Sequence, residues 1–425
     1  MKKDIFKKII TDNQEYLPER QTRALKFPVD SNKIITVKGP RRSGKTSLFY
    51  STINELKKIH NPSQIVYINF DDDRLHPIDI TDCRLFIDAY YELFPSNKEQ
   101  NVYFFFDEIQ NVKSWEKFVR RIYDTEKCKI FLTGSSSKLL SHEIATSLRG
   151  RTISYSLLPL SFDEYLHFHQ VEVNIHSSSK VAVVRNLFGS YLQTGGFPEL
   201  FIEKDLKEKI LREYIDMIIY KDLIERYNIS NLFLIKYLIR YCLTNISTLI
   251  SINRLYNSLK SQGIKVSKNT LYEYFTLLEE SMIIYQVPLF TESFSVQQRN
   301  PKKIYSVDIG LKRAVSFDRD IGRIYENIVF NHIQQFTEEV FYYNNKQEVD
   351  FIYRGNNRLN IINVSYDIED RRTRQREVQG LVGAMNDIDT SEATLITDFR
   401  EEIIEQDKKV IKIVPLWKWL LTEKY

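Results

Sequence analysis

The chain has 425 residues, 43% of them hydrophobic, with 26 Tyr, 26 Phe and little Gly or Pro; this suits two to four packed domains and excludes a disordered polypeptide. Lys and Arg number 60 against 56 Asp and Glu, a balance that gives no argument for nucleic-acid binding by the chain as a whole, so any such surface has to be local. Three scattered cysteines form no C-x-x-C pair and no apolar run approaches membrane-spanning length, which points to a cytoplasmic protein without disulfides, metal knuckles or a membrane partner.

Residues 1–30 read as a basic helix and a connector, with no apolar signal core behind the first lysines. Residues 34–47, IITVKGPRRSGKTS, then read as a buried strand, a glycine-bounded turn and the start of a helix. Gly39, Gly44, Lys45 and Thr46 fit G-x-x-x-x-G-K-[ST], the phosphate-binding loop of nucleoside triphosphatases. Glycines let the backbone aim consecutive N–H groups at a phosphate, and the following helix adds the positive end of its dipole. The nucleotide contacts expected are Gly39, Pro40, Arg41, Arg42, Ser43, Gly44, Lys45, Thr46 and Ser47. Lys45 reaches the β- and γ-phosphates in this arrangement, and the Thr46 hydroxyl takes a Mg²⁺ position.

Residues 65–70, IVYINF, form a second buried strand followed by Asp71, Asp72 and Asp73. A solvated turn or helix cap and a metal role both remain open for these acids. Residues 102–108, VYFFFDE, are a strand covered on both faces that ends in two carboxylates, the Walker B pattern. Asp107 is expected to hold Mg²⁺ and Glu108 to polarise the attacking water. Adjacent Asp and Glu favour ATP hydrolysis by the additional-strand (ASCE) class over a GTPase. Residues 129–137, KIFLTGSSS, are a fourth strand ending in small polar residues. Thr133, Ser135 and Ser136 are candidate γ-phosphate sensors, Ser135 the preferred one, although a helix-capping turn satisfies the same residues. Arg149 and Arg151 flank Gly150 before a fifth strand, as γ-phosphate contacts in cis, as fingers across a subunit boundary, or as surface residues.

The set GPRRSGKTS, YINFDDDRL, FFFDEIQNV, LTGSSSKLL, SLRGRTISYSLLPLSFDEYL and GGFPEL resembles one family across nearly the whole chain. These are the archaeal and bacterial AAA-type P-loop ATPases with an appended C-terminal domain of unknown function that resembles a restriction endonuclease. The resemblance implies an α/β fold: a P-loop ASCE/AAA-type core with strand order 5-1-4-3-2 at residues 1–160, a helical lid at 161–228, a winged-helix module at 229–300 and a restriction-endonuclease-like α/β domain at 301–425. ATP and Mg²⁺ are the implied cofactors, and an oligomer and an unidentified protein partner fit the family.

By the same resemblance Pro198, in the Gly-Gly-Phe-Pro turn 195–198, is a nucleotide-contact candidate, while helix punctuation explains the turn equally well. In the winged-helix segment Lys260, Lys265, Ser267, Lys268 and Asn269 suit DNA, a candidate partner; Glu273, Glu279 and Glu280 on the same helix oppose it. In the last domain Glu326 and Asp350 stand at nuclease positions. Asn363 and Ser365 occupy the places of the next carboxylate and the lysine, so the site is read as degenerate and the domain as unable to cut nucleic acid.

Overall fold

The computed structural model describes residues 2–134, 148, 150–203, 205–316, 318, 320–345, 347–355, 358–406 and 408–422. The chain divides into two compact units, Met1–Leu158 and Pro159–Tyr425.

In the first unit five strands, β1 (Ile34–Lys38), β2 (Ile65–Asn69), β3 (Val102–Asp107), β4 (Cys128–Gly134) and β5 (Thr152–Ser156), lie in the order β2-β3-β4-β1-β5. Every pairing is parallel. This is the 5-1-4-3-2 order that the resemblance implies. Parallel strands need crossovers, and helices α1 (Lys2–Glu15), α2 (Lys45–Leu56), α3 (Asp82–Leu93) and α4 (Trp115–Thr125) cover both faces.

The residues of β3 show why its run is apolar without interruption, since side chains alternate between the faces and both are buried. Phe104 and Phe106 pack with Phe86 of α3, and Phe106 also meets Phe118 of α4. Phe105 points the other way, stacking on Phe131 at 4.4 Å and meeting Phe49 of α2 edge-on at 5.1 Å. Truncating any of these rings to alanine costs about 3–5 kcal/mol. Because β4 sits between β1 and β3, the loop after β1 and the end of β3 open on the same sheet edge.

The second unit begins with α5 (Phe162–Phe168), α6 (Ser178–Thr194) and α7 (Lys207–Met217), which runs on into a π-helical stretch, Ile218–Ile224. Next come α8 (Leu232–Thr244), β6 (Thr248–Ile250), α9 (Ile252–Ser261), α10 (Lys268–Glu280), β7 (Ile284–Val287) and β8 (Lys302–Ser306). Strand β8 is antiparallel to both β6 and β7, in the centre of a three-stranded sheet. Strand β8, which follows residue 301, thus pairs with strands that precede it and not with those of the C-terminal sheet. Nothing in PKKIYS announces its partners, which lie far off in sequence.

After α11 (Ile309–Val315) and α12 (Ile321–Ile333) come β9 (Val340–Asn344), β10 (Glu348–Gly355), β11 (Arg358–Val364), α13 (Arg371–Ile388), β12 (Glu392–Thr397), β13 (Glu402–Gln406), β14 (Lys409–Pro415) and α14 (Leu416–Thr422). They build a mixed six-stranded sheet ordered β13-β14-β12-β11-β10-β9. Strand β13, EIIEQ, has no place in the sequence reading; it is an exposed edge strand whose charged alternation conceals it. Phe162 and Tyr165 of α5 and Val184 and Phe188 of α6 share one core with Tyr325 and Ile328 of α12 and Trp419 of α14. The segment expected as a lid is therefore packed into the same hydrophobic core as the C-terminal sheet.

Candidate functional site

The loop after β1 closes over itself for reasons visible in its residues. Gly44 and Arg42 have φ of 96° and 64°, the left-handed region, and a side chain is tolerated at Arg42 only with strain. Gly39 has no room for a Cβ, which would collide with the Leu157 carbonyl oxygen. Lys45 is buried, and its ammonium donates to the carbonyl oxygens of Gly39 and Pro40, 3.0 Å each. Arg41 is half-buried and Arg42 exposed; Pro40 and Ser43 are buried, and Ser47 is half-buried.

Asp107 is the hub below the loop. It is fully buried, and Thr46 Oγ1 and the Tyr67 hydroxyl donate to its Oδ2 at 2.7 and 2.9 Å. Thr133 Oγ1 donates to its Oδ1, and the Glu108 amide donates to the Thr133 hydroxyl at 3.3 Å. Burial first, and then the neighbouring Glu108, raise the Asp107 pKa above the ordinary carboxylate range, against the three hydroxyl donors. Glu108 itself takes φ 49°, ψ 41°, an uncommon conformation for a non-glycine residue, which turns it off the strand axis to meet Gln110 Nε2. The fold implies Mg²⁺ here, and the donors fit: a hydroxyl and a buried carboxylate 2.7 Å apart, both oxygen ligands, at the foot of an anion-binding loop.

A family model described as an AAA domain matches residues 31–166, the stretch that carries this hub. Two models of domains of unknown function, DUF8612 and DUF4143, match residues 185–320 and 321–419. Over 99% of its length the chain is 34% identical to an uncharacterized protein of Methanocaldococcus jannaschii, MJ1544, and covers 96% of it. The chain belongs to the family of MJ1544. An uncharacterized protein of Haemophilus influenzae is 29% identical over 92% of this chain and 95% of its own length. Solved structures are more distant. The Aeropyrum pernix ORC1 protein, solved in complex with DNA, is 11% identical over 76% of this chain and 93% of its own, at a TM-score of 0.32. AMPPCP-bound DnaA from Aquifex aeolicus is 15% identical over 64% of this chain and 86% of its own, at 0.25.

The structure brings Gly39, Lys45, Thr46, Asp107 and Thr133 together at one sheet edge and keeps Arg151 away from it. Ser135, Ser136 and Arg149 lie outside the described residues. Among the sensor candidates the described one, Thr133, is in contact with Asp107. Arg151 is a correction. β5 runs parallel to β1 with Thr152 opposite Ile34, so Arg151 stands at the edge opposite the phosphate loop. Its guanidinium pairs with Asp124 at 3.0 Å and lies over the Tyr123 ring at 5.5 Å, so it makes no cis contact with a γ-phosphate. Of the acids after β2, Asp72 caps a helical turn and pairs with Arg74, the capping reading.

Two residues of the site escaped the sequence reading. Tyr67 lies within the buried strand β2, and its hydroxyl holds Asp107. Arg23, in the connector, is buried and donates to the Ser43 carbonyl at 2.6 Å and the Leu158 carbonyl at 2.8 Å. It clamps the phosphate loop to the last residue of the first unit. A lone arginine in a polar connector carries no sign of such a role.

In the second unit Gly195 and Gly196 are required by close approach. A Cβ on Gly195 would strike the Asp308 carboxylate, and one on Gly196 the Leu160 carbonyl oxygen. Asp308 Oδ2 accepts from the Gly196 amide and Oδ1 from the Gly310 amide, 2.7 Å each. Pro198 follows this turn, half-buried, at the start of a short helix, Glu199–Ile202. On α10, Lys268, Asn269 and Tyr272 are exposed. Glu279 is turned inward to Gln286 and Glu280 accepts from the Tyr227 hydroxyl, which leaves Glu273 as the acid on the exposed face. Glu326 of α12 and Asp350 of β10 are both buried; the Asp350 amide donates to Asn363 Oδ1, and the Ser365 hydroxyl turns away to the Asp367 carbonyl.

Proposed function

We propose that the protein binds and hydrolyses ATP and that nucleotide state sets the arrangement of its C-terminal modules. The observation that carries this is the Thr46–Asp107–Thr133–Glu108 chain of hydrogen bonds at the mouth of the phosphate loop. Loop amides and the first turn of α2 cradle the phosphates, and Lys45 exchanges its loop carbonyls for β- and γ-oxygens. Thr46 and Asp107 would hold Mg²⁺, which would supply positive charge against the phosphate oxygens. Glu108 orients a water and takes up its proton as the new O–P bond forms and the bond to the bridging oxygen breaks, giving ADP and phosphate. Thr133 links the Glu108 main-chain amide to the Asp107 carboxylate, which fixes where the strand end places Glu108. Arg23 supports the coupling, because the same guanidinium holds the loop at Ser43 and the end of the first unit at Leu158.

For the second unit we read residues 229–306 as a winged-helix module, on the strength of the helix, strand, helix, helix, strand, strand order with β8 in the centre of its sheet. The last part we read as restriction-endonuclease-like from its mixed sheet and the pairing of Glu326 and Asp350. DNA is the partner favoured for α10, since two of the three glutamates that opposed it are engaged in internal hydrogen bonds.

Steady-state turnover tests this reading, with Glu108→Gln as the decisive variant. Gln keeps the shape and removes the basicity, so ATP should stay bound while turnover falls roughly 10²- to 10⁴-fold. Unchanged turnover moves the water-orienting role elsewhere. The same assay with double-stranded DNA tests the partner: stimulation that disappears on changing Lys268 and Asn269 to Ala supports it, and no response removes it.

A further inference from the structure

An endonuclease-like fold implies a divalent metal between Glu326 and Asp350, and the residues present do not fit one. Lys303, from the centre of the three-stranded sheet, is already there. Its Nζ lies 2.8 Å from Asp350 Oδ1, 3.0 Å from Glu326 Oε1 and 2.7 Å from Glu348 Oε1. An ammonium has three N–H donors, and three carboxylates occupy them. The remaining groups are satisfied as well. The Tyr305 hydroxyl donates to Glu326 at 2.7 Å, the Val364 amide to Asp350 Oδ2 at 2.8 Å, and Asn363 Nδ2 to Glu377. The Lys303 side chain is 4% exposed. Among the described residues no group of three or more His, Cys, Asp or Glu is arranged to hold a metal ion.

We infer that Lys303 is a built-in cation that takes the metal's place in this carboxylate cluster, so that the cluster binds no divalent ion and instead ties β8 to β10 and α12. A catalytic lysine needs an N–H left over for the attacking water, and Lys303 has none to give. Burial works against its charge, yet Asp350 above all, then Glu326 and Glu348, hold the ammonium protonated well above the ordinary lysine range. The alternation of β8 explains the delivery: Lys303 and Tyr305 share the face that meets Glu326, while Lys302 and Ile304 point the other way. The serine at 365 therefore does not mark an empty lysine position; a lysine reaches the cluster from another strand and fills its centre.

This rests on the endonuclease-like reading of the last domain, and counting metal without nucleotide keeps it apart from the ATP site. Full-length protein free of nucleotide is titrated with Mn²⁺ and followed by electron paramagnetic resonance and thermal unfolding. Wild type should bind no tight Mn²⁺ and show the same unfolding temperature in Mn²⁺ and in EDTA. Lys303→Met should unfold at a lower temperature, gain one Mn²⁺ and recover stability with it, and Lys303→Met/Asp350→Asn should lose that ion. A tight Mn²⁺ on wild type that Asp350→Asn removes overturns the inference, as does a folded Lys303→Met that gains none. Should Lys303→Met not fold, the wild-type count decides alone. Plasmid cleavage by wild type in Mn²⁺ that disappears in Asp350→Ala overturns it too, and makes Lys303 the lysine of an active nuclease.

Discussion

At the scale of single residues, Lys45 and Thr46 do opposite jobs within one loop. Lys45 spends its donors on its own loop carbonyls, which keeps a buried ammonium satisfied, while Thr46 is bonded to Asp107. The lysine is the countercharge a triphosphate needs. Lys45→Ala should weaken ATP binding by roughly 10- to 100-fold, the scale of losing a hydrogen bond to a charged group at about 1.5–3 kcal/mol. Calorimetry with ATP and Mg²⁺ checks this, and wild-type affinity in the variant would mean that the nucleotide sits elsewhere. These residues were legible because the motif is local: spacing along one turn settles which groups meet. Tyr67 and Thr133 were harder to read, since their partner Asp107 is on a different strand and only sheet order aligns the three.

At the scale of elements, the phosphate loop is held from three sides. β1 feeds it, Gly39 packs against the Leu157 carbonyl oxygen, and Arg23 bridges it to Leu158. Arg23 acts through the loop rather than on the substrate, so it is a positioning residue. Arg23→Ala leaves two buried carbonyls without their charged donor, a loss of about 1.5–3 kcal/mol. The expected outcome is a higher KM for ATP and a lower unfolding temperature of the first unit, with kcat within a few-fold of wild type. A fall in kcat at unchanged KM would instead place Arg23 in the chemistry. Elements with a strong local pattern, such as the unbroken apolar run of β3 and the helix start of α2 behind its glycine turn, were legible in the sequence. β13 and β8 were not, because an edge strand and a strand with remote partners carry no local pattern that names their sheet.

At the scale of the whole molecule, one buried carboxylate makes folding of the second unit depend on pH. Burial, against two backbone amide donors, pushes the Asp308 pKa to about 7. The folded-state value is above the unfolded one, so the folded chain binds more protons between them. The stability it contributes is complete below about pH 4 and is lost as pH rises through 7. For Asp308 the span is on the order of 4 kcal/mol. With Trp115→Phe removing the probe in the first unit, Trp417 and Trp419 fluorescence should report unfolding that becomes easier from pH 5 to pH 8. Asp308→Asn should flatten that slope, and an unchanged slope would show that Asp308 does not titrate there.

The amino-acid sequence alone determined the α/β core, its strand order through family resemblance, the phosphate loop and the two carboxylates at the end of β3. Each is written in contiguous residues whose spacing and hydrophobic period fix local geometry. The tertiary structure decided what distance along the chain conceals. It placed Arg151 at the far edge of the sheet, buried α5 and α6 in one core with the C-terminal helices, and set Arg23 on the phosphate loop. It also carried Lys303 into a carboxylate cluster whose members are spread over residues 326–350. The reason is physical: a buried charge is stable only where its partners converge, and which partners converge depends on strand pairing between segments that no local pattern connects.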